Sequence, residues 1–388
     1  MAPLIAFLQL RWLKRDRMVA YSRILAFASL ASLVWFFIEA MGALGSDFLA
    51  FWSAGLLAIE GKAAAAYDPA LLHAVQASVG RHDVFAFVNP PPLLLVVWPL
   101  GLLDYPSAWI VWIAATYALW LLATRRLFRR LSWPIAAYPG AWLAAIHAQT
   151  GFLTSAIQAA VAVCLRERPF RAGLFVGALI VKPHLAILFP IAFVAAREWR
   201  AIAGAAVSVA GLLLLSWLVF GTDTMLTYPR AWRVSEHLLT TGGADFFLRQ
   251  ASVYAMVRVV LSPPIALVAQ AIVALVMAVL VWIAWARSGA LEGKLALLFA
   301  ATPLATPYLF AYDLPFLVMP FCWLVEHERE KGFLAWSRSL LLLLYLSPML
   351  ARVMALPFGI NPMPFVSLAM VWMIWRRLRE SLRPAPAA

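Results

Sequence analysis

Charge is scarce in this sequence. Asp, Glu, Lys and Arg make up 13% of its 388 residues, where a soluble domain carries about 25%. With 64% hydrophobic residues and a mean hydropathy of +0.86, most side chains must face lipid or one another, which excludes a water-soluble fold. Cysteine is scarcer still: Cys164 and Cys322 both sit in apolar runs, so neither a disulfide framework nor a cysteine metal site is expected. Acid is outnumbered by base, 18 to 31, for a net charge of +13. That excess does not imply a nucleic-acid partner. The cations lie in short clusters between apolar runs ("RWLKRDR", "TRRLFRR", "RERPFR", "AREWRA", "EREKG", "RRLRE"), as cytoplasmic loops of a membrane protein do. The apolar runs are continuous rather than alternating, which excludes a transmembrane barrel. P-loop and dinucleotide fingerprints are missing. No Asp-x-Asp pair occurs, and the six histidines lack ligand spacing, so neither cofactor nor divalent cation is indicated.

What is present predicts an all-α, polytopic transmembrane helical bundle of about 9–13 membrane segments. Residues 1–23 form a basic cytoplasmic N-terminus. Residues 24–44 cross first and are expected to stay as an anchor, since no convincing cleavage site follows. Residues 47–90 form a first extracytoplasmic loop with short amphipathic helices at 48–60 and 69–79. "NPPPLLLVVWPLGLL" (89–103) is too short and Pro-rich for a comfortable span and reads as re-entrant. A single membrane domain runs from 24 to 376, followed by a cytoplasmic tail, 377–388, ending in a disordered "RPAPAA".

With every basic cluster inside, five apolar stretches each carry a polar break that faces outward: "HAQTG", "VKPH", a larger loop at 221–247, "PYLFAYD" and "LPFGINP". The same rule brings His147, Gln149, Lys182, His184, Tyr312 and Asp313 to the side where Asp47 emerges. Residues 172–196 offer two arms of roughly 12 residues, about 18 Å each, against a core of ~30 Å. They either form half-helices that end in a buried cavity or cross once and invert all that follows. Both versions make "VKPH" a cavity feature, because irregular backbone at membrane depth must line protein or water.

Each candidate has two readings. Asp47 can cap the helix that follows it or serve as a general base at a cavity mouth. Lys182 can snorkel or hold a phosphate as a point charge. His184 can be a packed, satisfied histidine, and His147 and Gln149 can tie helices together. Asp313 can cap the half-helix "DLPFLVMPF". Arg233, His237, Arg249 and Arg258 can guide an anionic lipid or stay solvated.

The stretch "SDFLAFWSAGLLAIEGKAAAAYDP" resembles the first outer loop of glycosyltransferase family 87, membrane mannosyltransferase-type enzymes of GT-C architecture. "NPPPLLLVVWPLGLLDY", "QTGFLTSAI", "LIVKPHLAILFPIAFVAAREWRA" and "TPYLFAYDLPFL" resemble later family segments in the same order. His184 replaces a usual glutamine, Asn89 a usual aromatic, and Thr150 stands where the pattern around Gly151 departs. The resemblance implies a GT-C-like fold and an inverting transfer of a sugar, mannose first, from a polyprenyl-phosphate donor to a glycolipid or glycan acceptor. It implies Asp47 as the catalytic base, with Lys182, His184, Gln149, His147, Tyr312 and Asp313 binding substrate. The expected location is the bacterial inner membrane, among membrane lipids, with the active site facing the periplasm or outside. A transporter with broken helices or a non-enzymatic lipid- or glycan-binding scaffold is the alternative.

Overall fold

The computed structural model describes residues 5, 7–39, 46–80 and 84–381. The end of the first expected span (40–44) and the "RPAPAA" tail lie outside the described residues. The chain is all-α; among the described residues the only β-type pairing is an isolated bridge between Gln250 and Phe310.

Helices follow one another in chain order from α1 (Arg15–Glu39), α2 (Ser46–Ile59), α3 (Pro69–Ala77) and α4 (Pro91–Val97) to α5 (Tyr105–Leu127). A broken pair, α6 (Pro139–His147) and α7 (Gly151–Cys164), is followed by a second, α8 (Pro169–Ala178) and α9 (Phe189–Ala196). Then come α10 (Trp199–Thr227), α11 (Pro229–Thr241), α12 (Pro263–Ala286), α13 (Leu291–Ala305), α14 (Val318–Lys331), α15 (Ser337–Phe358) and α16 (Met363–Ser381). Five of them, α1, α5, α10, α12 and α15, are long and apolar enough to cross a bilayer. The shorter apolar helices are joined across the polar breaks.

Local sequence explains many boundaries. Proline opens α3, α4, α6, α8, α11 and α12, where its missing N–H costs nothing and its φ is already helical. Asp68 caps α3 by accepting from Ala70 and Leu71 N–H. Asp104 caps α5 by accepting from Ser107 N–H at 2.8 Å, and those hydrogen bonds hold its carboxyl below the usual range. The segment expected as the larger outer loop, 221–247, carries helical structure, including α11. Gly221, at φ 78° and ψ 170°, leaves the helical conformation, so α10 is two helical segments that meet at a kink there, and α11 follows. The predicted helix at 48–60 is present as α2, but Phe48 through Gly55 are all buried. Over that length it packs into the bundle.

The polar breaks gather at one end of the bundle. Asn89 Nδ2 donates to Val181 O at 3.3 Å, and Lys182 meets Asp313. His147 packs on Tyr312, Ser252 Oγ donates to Pro307 O, and Asn361 Nδ2 donates to Gln250 O at 2.8 Å. The basic clusters gather at the other end. There Arg166 pairs with Glu292, Arg377 with Glu328, and Arg338 donates to the carbonyls of Leu10 and Arg11.

The 172–196 stretch is a hairpin of half-helices. A Cβ on Gly173 would collide with Ala201 O, one on Gly177 with Ala205 O, and one on Gly204 with Phe170 O. Hence α8 and α10 lie parallel, backbone against backbone, and both start at the charged end. The chain therefore rises to Lys182 and returns through α9 before α10 begins. Small residues permit this approach where apolar side chains alone would offer no preference.

Candidate functional site

The site end is built from the tips of broken helices. Helix α6 stops at His147 because Ala148 turns left-handed (φ 44°, ψ 42°), and α7 restarts at Gly151. Trp112 Nε1 fixes that break by donating to Ala148 O at 2.9 Å. Any side chain on Gly151 would strike Tyr312 O, so glycine there admits the 311–317 turn into the break. In the neighbouring hairpin, Lys182 takes a non-helical conformation (φ −151°, ψ 72°) between two short 3-10 turns. Pro183 enforces that interruption, since the residue before a proline avoids the α region.

These breaks bring most of the expected residues into one chain of contacts. Lys182 Nζ and Asp313 Oδ1 lie 2.5 Å apart, with side-chain exposures of 8% and 1%. Lys182 therefore does not snorkel. Its ammonium also stands 5.2 Å from the centre of the Tyr312 ring, on the face where a cation is attracted to the π system. Asp313 Oδ2 accepts from Phe310 N–H at 3.3 Å, so this carboxylate closes its own turn as well as holding the lysine. Tyr312 packs against His147, with ring centres 5.3 Å apart. His147 Nδ1 in turn lies 3.4 Å from Asp47 Oδ2.

Asp47 sits in the first turn of α2 and keeps 29% of its side-chain surface exposed. Its charge acts on Tyr308, Tyr312 and Asp313. Asp47 and His147 are both partly exposed, at 29% and 27% of their side-chain surface, and Tyr312 joins them to the buried Lys182–Asp313 pair. Among the described residues, no group of three His, Cys, Asp or Glu side chains is arranged to hold a metal ion.

His184 joins from the side, its ring edge-on to Tyr308 at 6.1 Å. It is packed but not satisfied, for its buried Nε2 has no hydrogen-bond partner in the protein. Gln149 stays apart: its Oε1 accepts from the backbone N–H of Thr150 at 3.3 Å. Of the loop cations, Arg258 is occupied by Thr240 O and Leu261 O, whereas Arg233 and Arg249 are exposed.

Two further residues belong to the site. Phe310 stacks on Tyr312 with centres 5.0 Å apart and planes within 11°. Tyr308 packs edge-on against Phe310 at 5.3 Å. The signal for both was the alternation Tyr308–Phe310–Tyr312, an extended strip that lays one aromatic wall along the cluster.

The family model described as glycosyltransferase family 87 matches residues 87–307, more than half of the chain. His147, Gln149, Lys182 and His184 fall within the matched residues; Asp47, Tyr312 and Asp313 lie outside them. No curated protein and no solved structure matches the chain.

Proposed function

Since the chain belongs to glycosyltransferase family 87, we propose that it transfers a sugar, mannose first, from a polyprenyl-phosphate donor to a hydroxyl of a glycolipid or glycan acceptor, with inversion at the anomeric carbon. The observation that carries this reading is the chain of contacts from Asp47, partly exposed and 3.4 Å from His147, through Tyr312 to the buried Lys182–Asp313 pair.

The chemistry needs a base for the acceptor and a partner for the departing phosphate. Asp47 accepts the acceptor hydroxyl proton as that oxygen attacks the anomeric carbon. The bond from that carbon to the phosphate oxygen breaks on the opposite face, and polyprenyl phosphate leaves with the electron pair. His147 orients the Asp47 carboxylate. Lys182 has three N–H donors, of which Asp313 takes one, leaving two for phosphate oxygens. Stabilisation of developing charge by preset donors is the largest effect such a site can supply. His184 offers its unpartnered nitrogen to a sugar hydroxyl, and the aromatic strip at 308–312 offers a surface on which a sugar ring can rest. The reaction takes place on the extracytoplasmic face, at the end opposite the basic clusters.

The test is transfer of radiolabelled mannose from polyprenyl-phosphate-mannose to a membrane-lipid extract, with the wild-type chain and Asp47→Asn in nanodiscs. Label moving into an acceptor with wild type and not with a folded Asn variant is the expected result. Equal transfer by both would remove Asp47 from the chemistry. No transfer by either, across several polyprenyl-phosphate sugars, would overturn the reading.

A further inference from the structure

The charged end of the bundle holds a cavity that the proposed chemistry does not use. It has a volume of about 520 Å³ and lies between the start of α1 and the start of α15, closed below by Phe321, Leu341 and Tyr345. That is ample for part of a lipid. Its floor is largely apolar: Tyr345 hydroxyl donates to Pro134 O at 2.9 Å, and its ring packs on Phe321 at 5.1 Å. Its rim is cationic, with Arg11, Lys14, Arg15, Arg329 and Arg338 all on the lining.

These cations outnumber the acids near them. Asp16 lies in the same first turn of α1, and Glu326 is near enough to Arg329 to feel its charge. Neither Lys14, Arg15 nor Arg329 has a carboxylate within ion-pair distance among the described residues. Arg338 gives Nη1 to the carbonyls of Leu10 and Arg11 and lays its guanidinium on the Phe333 ring at 4.3 Å. The chain before α1 is thus fastened across the opening, while Nε and Nη2 make no hydrogen bond among the described residues. A second cavity of about 540 Å³, almost wholly apolar, continues along α1 past Phe27, Leu30 and Leu33. The two are separated by the paired rings of Tyr138 and Tyr345, 5.6 Å apart. Helix α1 has one buried side chain among those described, Ser22, and meets the core through the partly buried Met18, Leu25, Leu33, Phe36 and Phe37.

We propose that this end carries a binding site for an anionic glycerophospholipid, with its phosphate among Lys14, Arg15, Arg329 and Arg338 and an acyl chain in the apolar cavity beneath. Two features select a lipid over a soluble anion. The cavity under the cations is largely apolar, and its walls include α1 and α15, both long and apolar enough to cross a bilayer. Basic pockets between transmembrane helices hold anionic headgroups because each nearby cation adds about 1 kcal/mol of attraction. A zwitterionic headgroup gains little of this, since its own ammonium is repelled by the same rim. The bound lipid adds to the contacts that hold the start of α1 against the bundle.

The test uses the purified full chain in detergent, given equal phosphatidylglycerol and phosphatidylcholine, with retained lipid read by native mass spectrometry. Phosphatidylglycerol should be retained and phosphatidylcholine lost. Replacing Lys14 and Arg15 together by Ala should weaken retention by roughly 25-fold, about fivefold per cation. Arg329→Gln, which leaves the start of α1 untouched, should weaken it about fivefold. Leu25→Trp, which fills the cavity and leaves every cation in place, should also expel the lipid, whereas Arg200→Ala, outside the cavity lining, should change nothing. Equal retention of both lipids, or full retention by the charge variants, would overturn the proposal. So would displacement by polyprenyl phosphate at the concentrations at which phosphatidylglycerol binds, because the cavity would then belong to the substrate lipid.

Discussion

Among the described residues, two ion pairs are deeply buried, one at each end of the bundle, and they are completed differently. At the charged end Arg377 reaches Glu328 through Nε at 2.7 Å and Nη2 at 2.5 Å, and Nη2 also donates to Gly332 O. Glu328 Oε2 accepts from Leu334 N–H at 3.1 Å. This pair fastens α16 and the turn after α14 to one another. At the site end Lys182 meets Asp313 just as closely, but the lysine keeps two donors, lies under an aromatic face and has the unpartnered Nε2 of His184 in the same hairpin break. A buried charge pair is costly to assemble, and well-packed apolar residues of similar volume often do as well for stability. A pair whose arginine and carboxylate each also bond a neighbouring backbone group is readily understood as structure. One left with unused donors beside a partly exposed carboxylate is better understood as part of a site.

That contrast can be broken in several ways, from the largest expected effect down. Asp47→Asn should lower transfer by about 10²–10⁴-fold, the range for loss of a general base, without changing the elution of the folded chain. Replacing Lys182 and Asp313 together by Met and Leu should leave thermal stability near or above wild type yet cost about 10²–10³ in turnover, as loss of a charge-stabilising donor does. The matching double replacement of Arg377 and Glu328 should keep turnover per folded molecule. If both double variants keep full activity, the site end holds only structure.

Glu328→Ala alone leaves Arg377 buried without its partner and should cost about 3–5 kcal/mol, read as a lowered melting temperature with unchanged kinetics in the molecules that remain folded. His147→Gln should have the smallest effect. Loss of one 3.4 Å polar contact to the carboxylate is worth about 1 kcal/mol, roughly fivefold in rate. It should appear in turnover more than in acceptor KM, since His147 is placed to orient Asp47. A larger rise in KM would make it a substrate contact instead.

Much of this was legible residue by residue. The breaks at His147–Gly151, Lys182–His184 and Pro307–Asp313 announce themselves as Pro, Gly and polar groups inside apolar runs, and local chemistry of that kind survives in any fold. The shortfall in length at 172–196 was equally plain. The choice between re-entry and crossing was not, because it rests on Gly173 and Gly204 meeting the facing backbones of α10 and α8, contacts that no local pattern encodes. Tyr308 and Phe310 read as ordinary aromatics until the turn after them enters the gap at Gly151. Helix α2 reads as amphipathic and is instead buried, because the neighbours that cover its second face come from distant parts of the chain.

By itself, then, the sequence determined the class of molecule, a membrane bundle of helices with basic turns, and where its helices must break. Composition and local backbone preference act on each segment independently of the rest. Only the tertiary structure decided that Lys182 pairs with Asp313 across 131 positions, that His147 stands between Tyr312 and Asp47, and that Gln149 stays out. Those pairings depend on which helix tips arrive at the same depth. Depth is set by helix lengths and close backbone packing summed over the whole bundle.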